Sequence, residues 1–182
     1  NNLVEEIPNF SDTPLLEEVN LSGNQLTGSI PNFSNLPNLE YLNLHNNELS
    51  GLIPAFSNLP SLEFLRFHGN NFIFSDILNA WEVISNTNPC IAVFEPCLRY
   101  SPQSIIPLIQ SNNTLYVEVG GGLVNNHYTW FKDGIEIPSM PVDEDSSWVV
   151  TESGTYHVQV TNNIITNPDI VSDVYWSGGV AI

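Results

Sequence analysis

The chain has 182 residues and a formal net charge of −17, with 20 Asp and Glu against 3 Lys and Arg. Three cations cannot build the basic patch that neutralises phosphates, which excludes nucleic acid as a partner and argues equally against docking on anionic lipid. With 42% hydrophobic and 13% charged residues, the composition supports one or two apolar cores rather than a disordered acidic tail. The acidity is even: residues 1–103 hold 11 acids and 2 bases, and residues 104–182 hold 9 and 1. No apolar run approaches the roughly 18 residues of a membrane helix, so no membrane insertion is expected of this stretch.

A repeat fills the first half. Leu16, Leu39 and Leu62 lie 23 residues apart. The same step relates Val19, Leu42 and Leu65, then Leu21, Leu44 and Phe67, then Asn24, Asn47 and Asn70. Gly28–Ser29–Ile30–Pro31 matches Gly51–Leu52–Ile53–Pro54, and one step back Leu3, Ile7, Pro8 and Phe10 fall on Leu26, Ile30, Pro31 and Phe33. Columns that keep phase imply stacked units, each too small to bury its own apolar face. The L-x-x-L-x-L spacing sends apolar side chains into a shared core. The Asn column is suited to satisfy backbone groups where each strand turns away.

From Asn1 to about Phe72 this pattern resembles the leucine-rich repeat family. Its form, L-x-x-L-x-L-x-x-N-x-L-x-G-x-I-P, is similar to the subtype of plant receptor ectodomains and of some bacterial surface proteins. The resemblance implies a short α/β leucine-rich repeat solenoid, with a parallel sheet on the concave face and irregular or short helical turns on the convex one. The third unit departs from the pattern: Phe74 replaces Gly, no Ile-Pro follows, and the array ends there.

Residues 75–103 read as a C-terminal cap, completing a repeat domain over 1–103. Ser75 is the expected N-cap of a helix running to Ile84, with Ile77, Trp81 and Ile84 covering the open end of the last repeat. Cys90 and Cys97 flank Ile91–Ala92–Val93–Phe94. A disulfide between them would staple a short loop and would persist in an oxidising compartment; two small buried thiols are the alternative.

After Gln103 the apolar period becomes 2. Leu115, Val117 and Val119 alternate with polar neighbours, Tyr128–Thr129–Trp130–Phe131 reads as a strand, and Lys132–Asp133–Gly134 as a tight turn into Ile135. Trp148–Val149–Val150, the run through Tyr156, Val158 and Val160, and a last strand near Tyr175 bring the total to about seven strands, as in an all-β sandwich over 104–182. Trp130 in mid-strand and Gly154-x-Tyr156 resemble the core Trp and tyrosine corner of immunoglobulin-like domains. Val158 stands where antibody domains hold a Cys, so the resemblance is to disulfide-free bacterial immunoglobulin-like modules. The succession of the two modules is similar to internalin-like bacterial proteins.

Little in the chain suggests chemistry. His45 and His68 are one repeat apart with no obvious third metal ligand, and His127 and His157 read as outward strand positions. The Glu17, Glu40 and Glu63 column lies on an open sheet without the cleft that would raise one carboxyl for acid catalysis. Asp143–Glu144–Asp145 lacks the glycine turn of a calcium loop and reads as a solvated turn. No G-x-S-x-G or H-E-x-x-H occurs. The expectation is no enzyme, no metal and no cofactor. Asn-x-Ser/Thr triplets begin at Asn9, Asn20, Asn32 and Asn112, and a glycan on Asn20 would block the concave side.

What remains is a surface. Strand alternation turns Glu18, Asn20, Tyr41, Asn43, His45, Phe64, Arg66 and His68 outward on the concave side. Exposed aromatics beside an Arg are the residue types that dominate binding hot spots, although aromatic columns on a sheet also stack simply on each other. The expected function is non-enzymatic recognition or adhesion by a secreted or cell-surface protein of bacterial type. Its partner is a protein or glycan, with neutral or cationic ligands favoured by the Glu column. The alternative is a structural stalk or a non-catalytic appendage of a larger surface protein or secreted enzyme.

Overall fold

The computed structural model describes residues 2–81, 98–99, 106–120, 125–138, 146–164, 175–178 and 180–181. Cys90, Cys97, Asp143–Glu144–Asp145 and most of the expected cap lie outside the described residues.

Two short strands open the chain, β1 (Val4–Glu6) and β2 (Glu18–Asn20), followed by β3 (Gln25–Thr27), β4 (Tyr41–Asn43) and β5 (Phe64–Arg66). The 23-residue step is also the sheet register. β2, β4 and β5 are parallel neighbours, pairing Glu18 with Tyr41 with Phe64, Val19 with Leu42 with Leu65, and Asn20 with Asn43 with Arg66. A fourth parallel strand, β6 (Leu98–Arg99), pairs Leu65 with Leu98 and Arg66 with Arg99. β1 and β3 form a separate parallel pair, and its rung recurs in each turn. Gln25 N–H donates to Leu3 O, Glu48 N–H to Leu26 O and Asn71 N–H to Leu49 O, at 2.8–2.9 Å.

Between these layers lie Leu39, Leu42, Leu44, Leu49, Ile53 and Phe67, all 0% exposed. The Asn column closes each turn from inside this core. Asn47 Oδ1 accepts from Leu26 N–H at 3.1 Å, while its Nδ2 donates to the carbonyls of Leu21 and Leu44 at 3.0 Å. Asn70 repeats the pattern one turn on, with Leu49 N–H and the carbonyls of Leu44 and Phe67. An apolar residue in place of Asn47 would leave Leu26 N–H without a partner in a dry interior and take one of two Asn donors from each of the Leu21 and Leu44 carbonyls.

The helix starts earlier than the sequence suggests, and its expected end at Ile84 lies outside the described residues. α1 spans Phe74–Leu78, its N-cap is Ile73 rather than Ser75, and Asp76 reaches back to accept from Ile73 N–H at 3.1 Å. Ser75 lies inside the first turn because Phe74 is drawn in: it is 1% exposed, and its N–H donates to Val119 O at 2.7 Å.

That bond joins the first half to the second. Beyond it come β7 (Ile106–Pro107), β8 (Ile109–Ser111), β9 (Thr114–Tyr116), β10 (Asn126–Lys132) and β11 (Ile135–Glu136), then β12 (Ser147–Val149), β13 (Thr155–Asn162), β14 (Tyr175–Gly178) and β15 (Val180–Ala181). β12, β9 and β8 form one antiparallel sheet. The other runs β11–β10–β13–β14–β7, with β15 also on β13. Its spine is the β10–β13 ladder from Asn126↔Asn162 to Lys132↔Tyr156. Asp133 and Gly134, at φ 51° and 79°, make the two-residue turn between β10 and β11 that a right-twisted hairpin favours. Trp130 on one sheet meets Trp148 on the other at 6.3 Å between ring centroids, and Val117, Val119, Val158 and Val160 are buried. Tyr156 donates its hydroxyl hydrogen to Glu152 O at 2.7 Å.

Candidate functional site

The parallel sheet sets its outward side chains in rows across the strands, because residues one period apart are register partners. The first row is Glu18, Tyr41 and Phe64. The Tyr41 and Phe64 rings stack at 4.0 Å and 9°. The second row is Asn20, Asn43, Arg66 and Arg99 by register. Arg66 places its guanidinium carbon 4.5 Å from the centre of the Phe64 ring, a cation–π contact. In the third row His45 and His68 stack at 4.7 Å and 4°.

Asn43 ties the rows together. Its Nδ2 donates to Tyr41 Oη at 3.3 Å, and its Oδ1 lies 2.6 Å from His45 Nδ1. A carboxamide oxygen only accepts, so this contact assigns the proton to Nδ1 of His45. Asn43 is 4% exposed. Expected as an outward contact residue, it is instead covered by the side chains it orients. Glu18 and Asn20 are exposed, whereas Tyr41, His45, Phe64, Arg66 and His68 are half-buried. Asn20 Oδ1 accepts from the Ser22 hydroxyl at 2.8 Å, a local turn that leaves it at the margin of the face. Seven of the eight expected residues are thus exposed or half-buried, and Asn43 is buried.

Glu17, Glu40 and Glu63 are exposed along the start of the strands. The 23-residue columns could not place the fourth parallel strand, because β6 joins β5 at a step of 33. Among the described residues no group of three or more His, Cys, Asp or Glu could hold a metal ion. Nor, among them, is any helix long and apolar enough to cross a membrane. A shallow hollow of about 210 Å³ lies apart from this face, between Gln110, Asn112, Val150 and Glu152.

A family model described as leucine-rich repeats (two copies) matches residues 14–54 and 37–81. Residues 14–81 are therefore leucine-rich repeats. Among solved structures, that of PEPR1–AtPEP1 is 41% identical over 40% of this chain and 11% of its own, with a TM-score of 0.38. The ectodomain of the plant membrane receptor kinase GASSHO1/SCHENGEN3 from Arabidopsis thaliana, in complex with CASPARIAN STRIP INTEGRITY FACTOR 2, is 32% identical over 40% of this chain and 9% of its own, at 0.38. InlP of Listeria monocytogenes is 24% identical over 96% of this chain and 55% of its own, at 0.43. The chain thus spans a small part of the first two of these and about half of InlP. No curated protein matches the chain.

Proposed function

We propose that this chain is a non-enzymatic extracellular recognition or adhesion module whose concave repeat face binds a protein or glycan. The observation that carries the reading is the Tyr41–Phe64–Arg66 cluster: two rings stacked at 4.0 Å and a guanidinium 4.5 Å from one of them, half-buried on an open sheet. Rigid aromatics and Arg at the centre of a patch are what binding energy concentrates on. Asn43 and the His45–His68 pair brace the cluster, which lowers the ordering cost of binding. The exposed Glu17, Glu40 and Glu63 favour neutral or cationic ligand groups along the start of the strands.

The second half is read as an immunoglobulin-like sandwich over 104–182 that carries the repeat domain of 1–103 at a secreted or surface location. The three-stranded antiparallel sheet, the six-stranded sheet that is antiparallel except where β14 pairs β7, the Trp130–Trp148 contact and the Tyr156 hydroxyl bond to Glu152 O support that reading. A cap over 75–103 and a Cys90–Cys97 disulfide belong to it as well. Screening the chain on surface-protein and glycan arrays tests the function. Hits that disappear in the Tyr41→Ala/Phe64→Ala variant support it, and hits unchanged by the double variant overturn the assignment of the face.

A further inference from the structure

We propose that the uncovered face of Tyr41, beside Glu18 on β2, is a slot for an arginine side chain of a protein partner. This deepens the recognition reading and rests on it.

Register across β2, β4 and β5 sets the row Glu18, Tyr41, Phe64. The Tyr41 and Phe64 rings lie 4.0 Å apart at 9°, so they overlap face to face. Their separation is close to the roughly 4.8 Å between neighbouring strands. The stacking axis therefore runs along the row, across the strands. One face of Tyr41 is taken by Phe64, and the other turns toward β2. Tyr41 is half-buried, and among the described residues no ring or cation lies against that second face. The far end of the same stack shows what such a face accepts. Phe64 has Tyr41 on one side, so the Arg66 guanidinium, 4.5 Å from the ring centre, takes the other.

Past Tyr41 the row continues with a carboxylate. Glu18 is exposed, and among the described residues its side chain has no hydrogen-bond or ion-pair partner. An aromatic face carries negative partial charge, which repels an anion and attracts a cation. Tyr41 and Glu18 are thus poorly matched as neighbours, and a cation between them is attracted by both. Guanidinium suits the place better than ammonium. Lying flat on the ring, it directs its N–H fork within its own plane, and that plane stands over β2, where a carboxylate accepts in bidentate fashion. Arg66 does not oppose the guest, because two ring spacings put it about 12 Å away, beyond the screening length of about 8 Å.

The test uses the full chain and acetylated, amidated Gly-Arg-Gly, with citrulline or Lys in place of Arg as comparison probes. Titrations are run at 0.15 M salt and followed by amide resonances. The Arg peptide is expected to bind saturably, at least about tenfold tighter than the citrulline peptide, and to shift Glu18 and Tyr41. Glu18→Gln and Tyr41→Leu should each remove most of that advantage. Glu136→Gln removes the same charge from β11 and should leave it intact, which separates the slot from general attraction to an acidic chain. If Tyr41→Leu fails to fold, Glu18→Gln, at an exposed position, decides alone. No Arg binding, equal binding of the Arg and citrulline peptides, or an advantage that survives Glu18→Gln overturns the slot. Equal binding of the Lys peptide overturns the choice of guanidinium. Array hits that depend on Tyr41 and Phe64 while the Arg peptide does not bind overturn the slot and leave the recognition reading standing. Array hits unchanged by Tyr41→Ala/Phe64→Ala overturn that reading itself.

Discussion

Tyr41 and Phe64 lie one repeat apart, and their rings stack at 4.0 Å and 9°. The contact follows from register, since the residues are partners across β4 and β5 and adjacent parallel strands hold their side chains within stacking distance. Both rings are half-buried, and removing Phe64 also takes the partner from under Arg66. Phe64→Ala is expected to lower unfolding stability by only about 1 kcal/mol, the scale of one aromatic pair with a partly exposed cation–π contact. Urea denaturation measures this. A loss several times larger would mean the aromatic row is part of the core and not a surface.

The Asn ladder should respond in the opposite way. Asn47 is 5% exposed and makes one acceptor and two donor bonds at 3.0–3.1 Å. Asn47→Ala strands Leu26 N–H and removes one of the two Asn donors from each of the Leu21 and Leu44 carbonyls, and should cost about 2 kcal/mol. Asn24, the corresponding residue one turn earlier and 9% exposed, should cost less because water can replace part of its bonding. Equilibrium unfolding of both variants gives the order directly, and equal losses would contradict it.

The junction of the two halves depends on one glycine. Gly120 has φ +65°, and a Cβ there would fall 2.7 Å from the Ser75 Cβ, beside the Phe74–Val119 backbone bond. Gly120→Ala therefore combines a left-handed backbone penalty with a close contact. A destabilisation of about 2 kcal/mol is expected, with calorimetry resolving two transitions where the parent shows one. A single unshifted transition would show that the contact is dispensable.

Alkaline pH should weaken the second half through Tyr128. Burial raises its hydroxyl above the ordinary 10.0, outweighing the hydrogen bond donated by Asn126, which acts in the lowering direction. A folded value above the unfolded one means the stabilisation is complete below pH 10 and is lost as the pH rises through the folded value. Thermal midpoints should fall above pH 10, and Tyr128→Phe should flatten that fall. An identical alkaline slope in the variant would refute the assignment. Near Glu152 the sign reverses: the Lys132 hydrogen bond holds this carboxyl below its usual 4.5. Its contribution is therefore present above that value and lost as pH falls through the folded one. Both groups are solvent-exposed, so the effect of Glu152→Gln at neutral pH should be small.

Repetition made the first half legible. Three turns sharing a 23-residue step fix strand register, core columns and the Asn ladder at once, and β2, β4 and β5 pair as that step requires. Legibility stopped where repetition stopped. β6 joins the sheet at a step of 33, which hid that strand, and the β1–β3 pair left no alternation long enough to read. Ser75 looked like a helix cap by composition, but the burial of Phe74 against Val119 moved the start to Ile73. In the second half the turn at Asp133–Gly134 and the β10–β13 strands were readable from local chemistry. The pairing order of the sheets was not, because it depends on contacts far apart in sequence. Alternation would turn Asn43 outward, but it is buried and hydrogen-bonded to Tyr41 and His45.

The central claim is that the Tyr41–Phe64 row is a recognition surface. It is tested most directly by the affinity of Tyr41→Ala/Phe64→Ala for the tightest array partner, against Leu52→Ser, which alters an exposed apolar residue in the Gly51–Pro54 turn. A Kd at least about tenfold weaker is expected for the double variant, with Leu52→Ser indistinguishable from the parent. Parent-like affinity in the double variant, with its fold intact, would contradict it.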